Sequence, residues 1–235
     1  MNVSGLTDFH AHILPGADHG SDSINTSANQ LRLLREIGVR KVVATPHFYP
    51  NAVSVTTFLK RRDAAANELS GMPQGDLPDV YIGAEVLVCP GIDRMPDLEK
   101  LCIKGTNTIL LEMPFFKWNE AYYETVYNIS RSDLHVIMAH IGRYPSNQAE
   151  RLIAECGVSV QLNGENISTR HGRHKVSRWL DSGIVTAFGS DIHGASKKSA
   201  KYLSDIYEFS DEYAENITEK CDSILKNAEK LVFKG

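Results

Sequence analysis

The chain has 235 residues, of which 42% are hydrophobic and 23% charged, with a formal charge of −4. That length supports one sizeable core, and the slightly acidic balance lacks the electrostatic footprint of a nucleic-acid or anionic-membrane binder. No apolar run reaches the roughly 20 residues of a membrane span, no signal peptide is expected, and four scattered cysteines (Cys89, Cys102, Cys156, Cys221) read as reduced thiols of a cytoplasmic protein.

Short apolar, β-branched runs alternate with amphipathic stretches from end to end. Residues 7–14 read as the first strand. Residues 23–38 read as a helix, with Leu31, Leu34 and Ile37 on one stripe and Gly38 as its stop. A strand at 41–45 and a helix at 56–69 follow, then a Gly- and Pro-bearing surface connection over 67–79 and a strand at 80–86. Next come strand 108–112 and helix 120–131, strand 135–139 and helix 147–156, and strand 159–162 and helix 175–182. Strand 184–190 and helices 196–210 and 211–232 complete the order. Several strands are apolar throughout, as in a parallel sheet covered on both faces. Seven β-then-α units in 235 residues predict an α/β protein with a closed or nearly closed (β/α) barrel in one domain.

In such a barrel the working residues sit at the C-terminal strand ends. His10 and His12, two apart on the first strand, point to one side with Cα atoms about 6–7 Å apart. Asp18 and His19 lie in the loop that follows, His47 after the second strand and Glu85 on the third. Glu112 ends the fourth strand, His140 and Arg143 follow the fifth, and Asp191 and His193 follow the seventh. Six of the nine histidines therefore fall on one rim. Three carboxylates join them directly after apolar runs, where an ionised side chain is costly without a cation beside it. One divalent ion uses only three or four such ligands, so the count implies several. Glu85, Glu112 and Asp191 carry −3 against +6 for three divalent ions, and the excess suits a hydroxide and an anionic substrate such as a phosphate ester. Imidazole and carboxylate suit Zn, Mn or Fe without selecting among them.

These strand-end residues, His10-x-His12, Thr45-Pro46-His47, Gly83-x-Glu85, Leu111-Glu112, Ala139-His140…Arg143-Tyr144 and Ser190-Asp191-x-His193, resemble the polymerase and histidinol phosphatase (PHP) family. Within it, Asp8-x-His-x-His-Ile-Leu-Pro-Gly and Ala44-Thr45-Pro46-His47-Phe48-Tyr49 are most similar to the bacterial manganese-dependent tyrosine phosphatases of capsular and exopolysaccharide gene clusters. The resemblance implies a distorted seven-stranded (β/α) barrel with three divalent metal ions, manganese being expected and iron or zinc the alternatives. It implies a first ion on His10, His12, Glu85 and Asp191, a second on Glu85, Glu112 and His140, and a third on His19, His47 and His193. Three departures stand out. His19 replaces the usual second Asp after the Pro-Gly, which leaves Asp18 as a rival ligand. Gly142 stands where a Glu precedes Arg-Tyr, and Lys198 stands where the family carries a phosphate-binding Arg. Lys offers a point charge rather than a bidentate fork.

The resulting expectation is metal-assisted hydrolysis of a phosphate monoester, foremost phosphotyrosine on a protein. Divalent ions yield hydroxide for in-line attack on phosphorus, and Arg143, with Lys198, helps take up phosphoryl charge. Asp191 and His193 are candidate catalytic groups as well as ligands, and Tyr144 is a candidate substrate contact. The implied partner is the tyrosine-rich tail of a polysaccharide-synthesis kinase. A phosphoesterase for a small metabolite, an amidohydrolase-type enzyme and a non-catalytic binding module remain alternatives. Cysteine-based phosphatase chemistry is not expected, because Cys89 to Arg94 has four intervening residues where Cys-x5-Arg is needed. No Walker-type phosphate loop occurs either. Phe115, Phe116, Trp118 and Tyr122 read first as packing beneath a loop, with an aromatic wall for the substrate ring as the other reading. His135 is expected at the opposite rim, and Arg170, His171, Arg173 and His174 in a solvated loop.

Overall fold

The computed structural model describes residues 5–73 and 75–234. In chain order the elements are β1 (Leu6–Ala11), α1 (Ile24–Glu36), β2 (Val39–Ala44), β3 (His47–Phe48), α2 (Val55–Ser70), β4 (Asp79–Ile82) and β5 (Glu85–Leu87). There follow β6 (Thr108–Glu112), α3 (Glu120–Ser130), β7 (His135–Met138), α4 (Ser146–Cys156), β8 (Ser159–Asn163), α5 (Arg170–Asp181), β9 (Val185–Gly189), α6 (Lys197–Phe209) and α7 (Asp211–Leu225). Among the described residues no helix is long and apolar enough to cross a membrane.

Every paired strand is parallel. A three-stranded sheet runs β1-β2-β4 and a six-stranded sheet runs β3-β5-β6-β7-β8-β9. The second and third strands read from sequence are each broken in two. Pro46, which has no N–H to give a ladder, separates β2 from β3, and Gly83-Ala84 separates β4 from β5. Backbone bonds step across both kinks, from Gly83 N to Ala44 O (2.8 Å) and from Glu85 N to Pro46 O (3.1 Å). The two kinked pairs therefore each follow one line. At the other edge, Asp191 N donates to His10 O (2.8 Å) and His12 N to Ile192 O (3.2 Å), so the chain leaving β9 docks on the end of β1. This is the distorted α/β barrel expected, built from two sheets rather than one closed ladder.

The strands are buried on both faces, as their unbroken apolar runs predict. Val42 and Val43, Ile109 to Leu111, and Val136 to Met138 all enter one contiguous core. α1 begins where Ser23 caps it, its hydroxyl accepting from Thr26 N, and packs Leu31 and Leu34 inward. Two helices differ from expectation. α5 starts at Arg170, because Thr169 caps it through Gly172 N (3.0 Å), so the basic segment is the helix's first turns and not a loop. Its opening residues are charged and exposed, and leave no apolar periodicity to read. α7 ends at Leu225 and not near 232, because Leu231 N donates instead to Val80 O (2.8 Å) beside β4.

Candidate metal centre

His10 lies on β1 and His12 just beyond its end, since the strand stops at Ala11 and not at Leu14. Their Nε2 atoms stand 3.1 Å apart, and Glu85 Oε2, from the first residue of β5, lies 3.3 Å from each. Asp191 Oδ1, from the turn after β9, lies 3.2 Å from His12 Nε2 and 3.6 Å from His10 Nε2. Four ligand atoms from three separate strand ends converge on one point. On the neighbouring side His140 Nε2 lies 2.9 Å from Glu85 Oε1 and 3.5 Å from Glu112 Oε1. His47 Nδ1 lies 2.9 Å from Glu85 Oε2 and 3.8 Å from Glu112 Oε2. Glu85 is therefore the hub, facing four imidazoles while fully buried.

Three groups bring three ligand atoms within 4.8 Å of one another among the described residues: His10-His12-Glu85, His47-Glu85-Glu112 and His12-His47-His193. His193 packs its ring 4.1 Å from that of His12. His19, which the resemblance places on the third ion, is in none of these groups. It is exposed, and its ring lies 4.8 Å from that of His47 and 4.7 Å from that of His193.

Surrounding groups fix which nitrogen faces inward. Asp18 accepts from His12 Nδ1 (2.7 Å), which leaves the His12 Nε2 lone pair aimed at the cluster. The same carboxylate accepts from the backbone N–H groups of His47 (2.9 Å) and Gly20 (2.8 Å). Asp18 thus acts as an orienting group. A Cβ at Gly20 would sit 2.1 Å from His12 Cβ, so only glycine lets the loop close this tightly. Gln161 Oε1 does for His10 what Asp18 does for His12, meeting His10 Nδ1 (3.2 Å) while accepting from His140 N (2.8 Å). His193 Nδ1 donates to Asp191 O (3.0 Å), turning Nε2 inward. The backbones of His140 (φ 31°) and Asp191 (φ 50°) are left-handed, a strained conformation that aims both side chains into the mouth.

The donor set fits divalent metal. His47 Nδ1, Glu85 Oε2 and His193 Nε2 are buried without a hydrogen bond, an arrangement rare in protein interiors unless another partner is meant. Burial opposes charge on His12, yet its hydrogen bonds to Asp18, Asp191 and Glu85 raise it well above the usual imidazole range. In His140 the same opposition is won by Glu112 and Glu85, which push it up to about 9. Burial and the neighbouring His12 push His193 down to about 4. Against their own burial, Glu85 and Asp191 are held below the ordinary carboxylate range, chiefly by His10. Metal binding to such ligands is linked to proton release, since an imidazole or carboxylate binds a cation only in its deprotonated form.

Arg143 stands beside this centre. Its Nη1 lies 2.6 Å from Asp191 Oδ2, on the carboxylate whose other oxygen faces the histidines, and its Nε donates to Glu165. Nη2 has no partner among the described residues. Glu165, in the 3₁₀ turn Gly164–Ile167, carries no motif that would single it out in the sequence. The same turn abuts Gly142, where a Cβ would meet the Asn166 amide at 2.3 Å, so a larger residue at 142 would have to displace the Asn166 side chain.

Of the two expected substrate contacts, Tyr144 lies beside the centre: its ring is 5.6 Å from that of His140 and it borders one groove with Arg143, though it is 3% exposed and its hydroxyl accepts from Met113 N (2.9 Å). Lys198, exposed in the first turn of α6, rests 5.4 Å over the Tyr202 ring and forms no ion pair among the described residues. Tyr49 gained no role from the sequence, yet its ring stacks 5.2 Å from that of His47. Burial pushes up the thiols of Cys89, Cys102, Cys156 and Cys221, which leaves no thiolate nucleophile among them.

The family model described as "Capsular polysaccharide synthesis, CpsB/CapC" matches residues 6–233. The chain belongs to the CpsB/CapC family. The resemblance drawn from the strand-end motifs is borne out by that membership. A curated relative of this CpsB/CapC chain, the tyrosine-protein phosphatase YwqE of Bacillus subtilis, is 24% identical over 237 residues, covering 94% of this chain and 92% of its own length. A solved structure from work on YwqE of B. subtilis and CpsB of Streptococcus pneumoniae, described as unique metal-dependent tyrosine phosphatases, superposes with a TM-score of 0.73. It is 20% identical and the match covers 95% of this chain and 96% of that one, so the two share a fold.

Proposed function

We propose that this CpsB/CapC chain is a metal-dependent phosphomonoester hydrolase acting on phosphotyrosine in proteins, as a single catalytic unit. The observation that carries the reading is the convergence of His10, His12, Glu85 and Asp191 on one point, with Arg143 bound to the far oxygen of Asp191. The clustered donors would suit three divalent ions, with manganese taken from the family resemblance and iron or zinc as alternatives. His10, His12, Glu85 and Asp191 would hold the first, Glu85, Glu112 and His140 the second, and His47 and His193 the third with His19. Such ions acidify water near neutral pH and neutralise phosphoryl charge.

The chain's own residues supply the rest. Asp18 and Gln161 hold the imidazole tautomers, and Glu165 and Asp191 hold the guanidinium of Arg143 so that its free Nη2 meets a phosphoryl oxygen. Burial of the hub excludes competing water and strengthens every charge interaction there. The protein partner consistent with membership in a capsule-synthesis family is the tyrosine-rich tail of a polysaccharide-synthesis kinase, met in the cytoplasm.

The test is phosphate release from a phosphotyrosine peptide before and after removal of metal, with metal content measured on the same sample. Release that stops on chelation and returns with Mn²⁺ is the expected outcome. Undiminished release from metal-free protein, or faster hydrolysis of small alkyl phosphates than of the peptide, overturns the reading.

A further inference from the structure

Beyond the buried cluster, the chain that leaves β6 exposes two adjacent aromatic side chains. Phe115 is 68% and Phe116 57% exposed, whereas Trp118 three residues later is buried and anchored by its Nε1 to Pro114 O (2.7 Å). The sequence reading of all four aromatics as packing holds for Trp118 and fails for this pair. Neighbouring exposed aromatics on a rim have no folding reason to be there, and such patches mark binding surfaces. Pro114, Phe115, Phe116, Lys117, Arg143 and Pro145 border a groove of about 480 Å³. At its inner end, Phe115 lies 6.1 Å from the His140 ring at an interplanar angle of 18°, and 5.9 Å from Tyr144. Tyr144 and Trp118 pack behind it, their rings 5.1 Å apart, so the wall is backed by buried aromatics.

Arg143 belongs to both places, bordering the groove while its Nη1 holds Asp191. A phosphoryl group at Arg143 therefore sends its ester substituent along the groove and across the Phe115 face. We propose that this groove is an aryl subsite in which Phe115 stacks on the ring of phosphotyrosine, an inference that rests on the phosphatase reading and adds the origin of its aryl preference. A ring esterified directly to phosphate reaches that face, whereas the single methylene of a phosphoserine leaves it uncovered. Lys117 adds a second cation to the lining of the same groove.

Phenylphosphonate and methylphosphonate share a headgroup, differ only by the ring and are not hydrolysed. Calorimetric titration of each into the Mn²⁺-loaded protein measures the subsite without turnover. The expected result is phenylphosphonate binding about tenfold tighter in the wild type, the scale of one aromatic stacking contact with its burial. Phe115→Ala should abolish that preference and Phe115→Tyr should retain it, with metal content measured throughout. If the Ala variant alters metal loading, Phe115→Leu supplies the test, with a smaller fall in preference expected. Equal affinity for the two probes in the wild type, or an undiminished preference in the Ala or Leu variant, overturns the proposal. A protein that prefers phenylphosphonate yet releases no phosphate fails the phosphatase reading and keeps the subsite. One that hydrolyses phosphotyrosine with no dependence on Phe115 does the reverse.

Discussion

The two ends of the parallel strands carry polar residues of the same kinds and use them in opposite ways. At the N-terminal end, His135 meets Thr108 Oγ1 through Nδ1 (3.3 Å) and Ser159 Oγ through Nε2 (3.3 Å). Nearby, Lys220 Nζ donates to the carbonyls of Gly183 (2.9 Å) and Val185 (2.8 Å). A cavity of about 650 Å³ opens there, larger than the aromatic groove, yet on its walls His135, Thr108, Ser159 and Lys220 already have partners. At the C-terminal end the histidines and carboxylates crowd together, several of their atoms have no hydrogen bond, and two backbones are strained. Size of cavity and number of polar residues do not separate the two ends. Convergence of unsatisfied donors does, and it is what a cation would complete.

The largest effect expected from this contrast follows removal of a convergent ligand. His12→Ala and Asp191→Ala should each lower phosphotyrosine hydrolysis by about a thousandfold, the scale of losing metal-based charge stabilisation in the transition state. Elemental analysis should show less bound metal in both, and Cys89→Ser should leave rate and metal unchanged. Asp18→Asn should act one step removed, by loosening the His12 tautomer. A ten- to hundredfold loss of metal affinity is roughly what such an orienting group is worth. Full activity of Asp18→Asn with unaltered metal titration would refute the orienting role.

How much of this contrast the sequence reveals depends on whether a residue acts alone or through a neighbour. His10 and His12 announce themselves by their spacing two apart on one strand, and Glu85, Glu112, His140 and Asp191 because each follows an apolar run that a buried parallel strand explains. The barrel order is legible for the same reason. The kinks at Pro46 and Gly83 are not, since a strand two or three residues long leaves no period to read. Glu165 and Gln161 are legible only as types. Their importance comes from Arg143 and His10, which the fold brings to them from 22 and 151 positions away. Tyr144 shows the converse. Adjacency to Arg143 suggests a like role, and both do border one groove, but Tyr144 is buried with its hydroxyl on Met113 N whereas Arg143 reaches Asp191.

A smaller effect is expected where the contact at the active end is half open. Arg143 and Glu165 side chains are 27% and 35% exposed, so solvent screens their attraction. Glu165→Gln should leave metal content unchanged and raise KM about fivefold, equivalent to roughly 1 kcal/mol, while lowering kcat less. A fall in kcat without change in KM would mean that Glu165 acts on chemistry rather than on holding the guanidinium.

The smallest effect lies at the opposite end, where His135 tests whether that end serves stability alone. Burial lowers its pKa below the ordinary imidazole value, so the unfolded chain takes up this proton before the folded one does. Its contribution is therefore present above pH about 6.5 and lost as pH falls through the folded-state value. His135→Ala gives up the contacts with Thr108 and Ser159, at a cost of about 1 kcal/mol near neutral pH. The variant should also lose less stability than the wild type between pH 7.5 and pH 5, as read from urea midpoints of metal-free samples. Because both proteins share the titrating cluster at the other rim, the difference between their pH slopes isolates His135. Phosphatase activity at pH 7.5 should not change. If it falls together with metal content, the two ends are coupled through β7, which carries His135 at its start and delivers His140 just past its end.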